Sequence, residues 1–171
     1  MAEQDLANET LVTPEMIANK GVWGPIRTSP PISLSDIRKW AIATYWPETP
    51  PPIYWDEDYA KTTRHGSIIA PLDFNPFAWP IHRPKRQNLP RTEQTGANQQ
   101  RRRTTGMNGG QVDEYGKPMR AGDIIRAKTR LKDWEEREGR LGLTLYAYSE
   151  TLWLNQHDDM VRLRTSTAIR F

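Results

Sequence analysis

An α+β fold is what this sequence predicts, with helices in its first half and an antiparallel meander of strands in its second. Two observations carry that expectation. Between Thr13 and Trp46 apolar residues recur at helical spacing behind capping side chains, whereas from Gln111 to Phe171 they tend to alternate with polar ones, as in strands whose two faces meet different surroundings. Runs of helices followed by runs of strands build an α+β layer rather than βαβ units. A chain of 171 residues buries roughly two-thirds of the surface its unfolded form exposes, so one domain spanning 1–171 needs no external staple.

The first element falls in TPEMIANKG, where Thr13 caps, Pro14 fits the first turn and Gly21 lies just past the end. After the proline-rich link GPIRTSPPI, the stretch SLSDIRKWAIATYW sets Ile37, Trp40, Ala41 and Tyr45 at helical spacing, with Ser33 or Ser35 as cap. Pro47 and the Pro50, Pro51, Pro52 run end that helix, because each proline lacks a donor and disfavours the helical conformation in the residue before it. The chain must then leave along an extended path. DEDYAKTT fits one further turn of helix. SIIAPLDFNPFAW is apolar, but Pro71 and Pro76 leave a central helix there short or broken. Residues 82–110 are rich in Gln, Asn, Arg and Gly and poor in apolar side chains, which reads as a long loop. Strands are expected in QVDEYGKPM, DIIRAKTRLKDWEERE, LGLTLYAYSETLWLN and DMVRLRTSTAIRF, with NQHDD as the turn between the last two. In the third, Leu143, Leu145, Ala147, Ser149, Thr151 and Trp153 share one face, and Thr144, Tyr146, Tyr148, Glu150 and Leu152 the other.

Composition removes several classes of function. There is no Cys, which excludes a disulfide framework, thiol catalysis and thiolate zinc sites, and three His scattered at 65, 82 and 157 make a His-based metal site a poor expectation. No metal is expected. The first residues, MAEQDLANETLVTPEMIANKG, carry acids and no apolar run, and no stretch approaches the ~18 apolar residues that a membrane span needs. A cytoplasmic, soluble protein is the expectation. The formal charge of +3 is unevenly spread: His82 to Thr105 holds seven cations against Glu93 alone, so +6, leaving −3 elsewhere. Nucleic-acid binding could use that charge, but the loop offers no aromatic residue on which a base could stack. It ranks last.

Three stretches together resemble the MaoC-like acyl-CoA hydratase/dehydratase family: PIYWDEDYA (Pro52–Ala60), GSIIAP (Gly66–Pro71) followed by Phe74, and NGGQVDEYGKPMRAGDIIRAKTRL (Asn108–Leu131). In the last, Pro118, Arg120, Gly122 and Asp123 look like the family's turn into its long strands. The resemblance runs from the first helix to Phe171, with the basic loop least matched. It implies a single hotdog fold, an antiparallel sheet wrapped around a central helix that is here short or broken. Catalytic members show Asp-x-Asn-Pro-x-His-x-Asp with an Ala four residues on. Laid on Asp56 and Ala60, that pattern puts Thr49 at the catalytic Asp and Tyr54 at the catalytic His, with Pro51 at the Asn. Where catalytic members tend to read Ile-Ala-His-Gly, this chain reads Ile69-Ala70-Pro71-Leu72.

Those departures bear on the chemistry. Adding water across an α,β-unsaturated thioester needs one group to take a proton from water and one to deliver a proton to the α-carbon, while donors stabilise the enolate-like oxygen. Thr and Pro do not titrate near neutrality, and a Tyr with pKa near ~10 would need a large shift to serve. No catalytic residue is expected in this chain. The resemblance extends to the inert N-terminal, fatty-acid-synthase-type dehydratase domain of double-hotdog hydratases, which implies an acyl-CoA ligand, no cofactor beyond the coenzyme A of the substrate, and a catalytic hotdog partner that supplies the proton-transfer residues.

On this reading Trp46, Tyr54, Trp55, Ile69, Ala70, Phe74 and Trp79 shape the acyl pocket, ordinary core packing being the alternative for each, and a broken central segment implies a wide pocket. Arg101, Arg102 and Arg103 suit the phosphates of coenzyme A, a partner surface or solvent. Two alternatives stand beside the heteromer. One is a self-standing acyl-CoA-binding homodimer. The other is a homodimeric hydratase or thioesterase, for which Glu48, Asp56 and His65 are the residues left to do the chemistry.

Overall fold

The computed structural model describes residues 10–78, 106–140 and 142–171. Helix α1 spans Pro14–Asn19, and the Thr13 side chain accepts from the Met16 N–H at 3.2 Å. Beyond it Gly21 donates to the Leu131 carbonyl at 2.7 Å, tying the N-terminal segment to the sheet. A two-residue strand β1, Arg27–Thr28, follows. Helix α2, Leu34–Tyr45, is capped by Ser33, which accepts from Asp36 N–H at 3.0 Å, and buries Ile37 and Ala41. A 3-10 turn, Pro52–Tyr54, leads to helix α3, Glu57–Thr62.

Four long strands follow: β2, Gly106–Tyr115; β3, Arg126–Gly139; β4, Gly142–Leu154; and β5, Met160–Arg170. They form one five-stranded antiparallel sheet in the order β1-β3-β4-β5-β2. The last three expected strands form the meander β3-β4-β5, whereas β2 crosses to pair with β5 instead of with β3. In the NQHDD turn, the Asn155 side chain accepts from the N–H groups of His157 and Asp159 at 2.9 and 3.0 Å. The turn around Pro118 and Gly122 also forms: Gly122 has φ +90°, and Asp123 accepts from the Arg120 N–H at 2.8 Å.

Two expectations need adjustment. Strand β2 starts at Gly106 and ends at Tyr115 instead of covering 111–119, so the basic loop gives up its last five residues to the sheet. The signal is hidden because the register slips between Asn108 and Gln111; Gly110 has φ +102°, and a Cβ on Gly109 would lie 2.8 Å from the Thr167 methyl. A bulge with this geometry selects glycines, which a composition reading assigns to a loop. The second concerns the central segment. Residues 63–78 contain no helix at all, only tight turns, with Phe74 donating to Pro71 O at 3.0 Å and Ala78 to Asn75 O at 3.1 Å. The prolines break it further than a kink.

The core lies between the sheet and this layer of helices and turns. Ile32, Ile37, Ala60, Ile68, Ala70, Phe74 and Met119 pack against Ile125, Ala127, Trp153 and Val161. The extended segment is fixed in place by main-chain bonds, Ala70 N–H to Met119 O at 2.8 Å and Ile69 N–H to Ile53 O at 3.4 Å. The Arg120 guanidinium also donates to Ser67.

Candidate functional site

The site expected from sequence begins where α2 ends. The Trp46 N–H closes the helix on Ile42 O at 3.1 Å, the Glu48 N–H bonds Tyr45 O at 2.8 Å, and the prolines then carry the chain into the 3-10 turn. Tyr54, at the position of the catalytic His, is half-buried and stacks obliquely on Tyr45 with ring centres 6.0 Å apart. Burial first, then Tyr45 and the charge of Asp73, push its hydroxyl above the ordinary tyrosine pKa. Such a group holds its proton at neutral pH and cannot act as a base. Thr49 is exposed. Nothing at these two positions exchanges a proton near neutrality.

The three carboxylate and imidazole candidates have other employment or stand apart. Asp56 caps α3, its Oδ1 accepting from the N–H groups of Asp58 and Tyr59 at 3.0 Å each. Glu48 is exposed. His65 accepts from the Arg64 guanidinium at 3.3 Å, in the turn after α3. Among the described residues no group of three or more His, Asp or Glu is placed to hold a metal ion.

The expected pocket walls divide. Ala70 and Phe74 are buried at 4% exposure each, whereas Trp46 is 78% exposed. Trp55 is partly exposed and donates its indole N–H to Pro50 O at 2.9 Å. Ile69 is half-buried. Trp79 and Arg101, Arg102 and Arg103 lie outside the described residues.

Among the cavities that adjoin the turn-rich central segment, two flank residues 74–77. The first, about 630 Å³, opens between α2 and residues 74–76, with Ile32, Trp40, Ala43, Phe74 and Pro76 among its walls. Trp40 meets Phe74 edge to face at 5.4 Å, and its indole N–H has no partner among the described residues. The second, about 510 Å³, lies on the inner face of the sheet, where Arg27, Phe77, Thr129, Thr151 and Trp153 surround it. Sequence reading missed this second site. The alternation of β4 placed Trp153 and Thr151 on one face, but which residues of β1 and β5 stand beside them depends on register.

Phe77 meets the Trp153 ring edge to face at 5.3 Å and Arg27 lies 4.8 Å over Phe77; Arg162, which is not among the cavity's lining residues, sets its guanidinium carbon 3.6 Å over the same Trp153 ring. Burial, and after it the charge of Arg164, push the Arg162 pKa down.

This architecture, a long antiparallel sheet in the order 1-3-4-5-2 with its helical layer on one face, is that of hotdog proteins. The nature of the family follows from the sequence itself: residues 20–164 match the family described as FAS1-like, dehydratase domain region, and the chain belongs to it. Among solved structures, the ChsH1–ChsH2 complex of Mycobacterium tuberculosis is similar at TM-score 0.64 and 16% identity, covering 88% of this chain and 84% of that one. The MaoC-like dehydratase of Rhodospirillum rubrum gives TM-score 0.54 at 15% identity, over 86% and 91% of the two chains. The C-terminally truncated HadBC (3R-hydroxyacyl-ACP dehydratase) complex of Mycobacterium tuberculosis gives 0.52 at 16% identity, over 85% and 95%. At such identities the likeness is one of fold. A comparison with curated protein sequences yields no match.

Proposed function

We propose that this chain is the non-catalytic hotdog subunit of an enoyl-CoA hydratase/3-hydroxyacyl-CoA dehydratase, which shapes the acyl pocket while a catalytic hotdog partner moves the protons. The observation that carries the reading is the doorway itself. Its catalytic positions hold Thr49 and a Tyr54 whose proton is held more tightly than usual, and Asp56, two residues past Tyr54, is spent on a helix cap. Similarity to two-component hotdog complexes supports a partner. The absence of helix from residues 63–78 supports a pocket wider than a tunnel for a straight chain, and a strict preference for short linear acyl groups would remove that part. The reading assigns the chain to the cytoplasm; no helix among the described residues is long and apolar enough to cross a membrane.

The test is turnover of several trans-enoyl-CoA esters by the purified chain, alone and then with a hotdog protein that keeps the Asp/His pattern and is encoded beside it. Activity only on mixing is the expected result. Activity of the chain alone would overturn the reading and send attention to Glu48, Asp56 and His65. Binding of acyl-CoA by a stable homodimer that gains no activity from any partner would favour a carrier or sensor.

A further inference from the structure

The 630 Å³ cavity lies along α2, and the helix sets its dimensions. Asp36, Trp40 and Ala43 are among its walls, at the spacing that keeps side chains on one helical face. A groove that touches both Asp36 and Ala43 runs along two turns of α2, about 10 Å of axis. Its volume of about 630 Å³ then implies a mean cross-section of about 60 Å², whereas one hydrocarbon chain, whose carbons meet their neighbours at about 4 Å, fills roughly 16 Å². A single straight chain would leave most of the groove empty and forfeit the contacts.

The other walls among the described residues are stiff. Pro30 and Pro31, from the link before α2, and Pro76, from the central turn, have no rotamers with which to adapt. Phe74 is 4% exposed and locked edge to face on Trp40. A preformed shape of this kind rewards a rigid occupant, which gains the contacts without giving up internal rotations. The end of the groove nearest the doorway is marked by Ala43. Its neighbour Thr44 donates to Asp73 at 3.4 Å, and Tyr45 stacks on Tyr54. Ala43 is exposed and has the smallest side chain on the lining face of α2.

We propose that this groove receives the far end of an acyl group that carries a ring beyond its β-carbon, entering from the doorway, and that Ala43 is the specificity-determining residue whose small size admits it. The Trp40 and Phe74 rings form the apolar floor on which the ring of the acyl group lies. A ring in that place leaves the α- and β-carbons free for hydration. This specificity rests on the acyl-CoA reading above.

The test is calorimetric titration of the chain, in the assembly it forms in solution, with 3-cyclohexylpropanoyl-CoA, nonanoyl-CoA and butanoyl-CoA. The first two have the same number of acyl carbons and differ in the ring, and the third is too short to enter the groove. The wild type is expected to bind the ring ester at least about tenfold more tightly than nonanoyl-CoA. Ala43→Phe should weaken the ring ester at least about tenfold while leaving butanoyl-CoA within about twofold, and Ala43→Ser, which keeps the side chain small, should bind all three as the wild type does. Position 43 is exposed, so neither change enters the core. Equal affinities of the wild type for the ring and straight-chain esters would overturn the proposal and leave the acyl-CoA reading intact. So would a ring preference that survives in Ala43→Phe, or an equal loss of all three esters in that variant. Failure of every ester to bind the wild type would sink the acyl-CoA reading, and this inference with it.

Discussion

On the proposed reading Tyr54 stands where a catalytic His would be and Asp56 is one of the acids left to act in its stead, and the structural role of each can be tested. A working acid or base contributes roughly 10²–10⁴-fold to a rate. If Tyr54 is only a wall, Tyr54→Phe should leave kcat/KM of the assembled complex within about twofold, whereas a loss of about a hundredfold would restore it as a proton carrier. Asp56 holds two N–H groups of α3, so Asp56→Ala should lower stability by about 1 kcal/mol, read from urea unfolding, without changing turnover of the folded complex. On the outer face of the sheet, Glu150 is buried and bonded to Lys132 at 2.8 Å and to Arg130 at 2.6 Å. Lys132 first and Arg130 after the opposing cost of burial hold its pKa below the ordinary carboxylate value. A carboxylate more acidic in the folded chain than in the unfolded one stabilises above the unfolded pKa and loses that contribution as pH falls through the folded one. Glu150→Gln should therefore flatten the decline of the urea midpoint on the acid side of about pH 5; an unchanged decline would show that other groups govern it.

At the level of elements, α2 and β2 show opposite dependences on the core. Ile37 in α2 has no exposed surface, and truncation of such a residue to Ala costs about 2–5 kcal/mol; a loss under about 1 kcal/mol would mean that the helix docks more loosely than its burial implies. Strand β2 buries almost nothing. It is an edge strand, and Met107, Val112 and Tyr115 are exposed on it at 53%, 67% and 44%. A long edge with apolar side chains invites another sheet unless something covers it. Val112→Lys should therefore reduce co-elution with the hotdog partner, or self-association if the chain pairs with itself, while leaving the melting temperature of the isolated chain unchanged. Retention of full assembly would place the interface elsewhere. The central segment belongs at this scale too: Pro71 and Pro76 disfavour helix there, residues 63–78 are turns, and two cavities flank residues 74–77.

For the whole molecule the decisive quantity is association. A partner that binds only the folded chain stabilises it by mass action, about 2.7 kcal/mol at a hundred times Kd. Mixing the chain with the proposed catalytic partner should accordingly raise its melting temperature in proportion to the logarithm of partner concentration, and a temperature that ignores the partner would argue against the heteromer. The 78% exposure of Trp46 is compatible with such a partner, since an exposed indole gains burial when a second chain arrives.

Much of this was fixed by local chemistry and is legible without coordinates. Thr13 and one of Ser33 or Ser35 stand where caps are needed, Pro47 and its neighbours stop α2, and alternation in 143–153 predicts β4. What the tertiary structure decided is whatever depends on register and on contacts between distant segments. The bulge that moves the start of β2 to Gly106 becomes visible only when β5 lies beside it. Arg162 reads as an ordinary polar residue of a terminal strand until pairing sets it against Trp153 and leaves Asp113 to Arg164. Side-chain period within a strand follows from the backbone, but a neighbour across the sheet is chosen by the whole chain's packing, and that is why the inner-face cavity had no signature in the sequence.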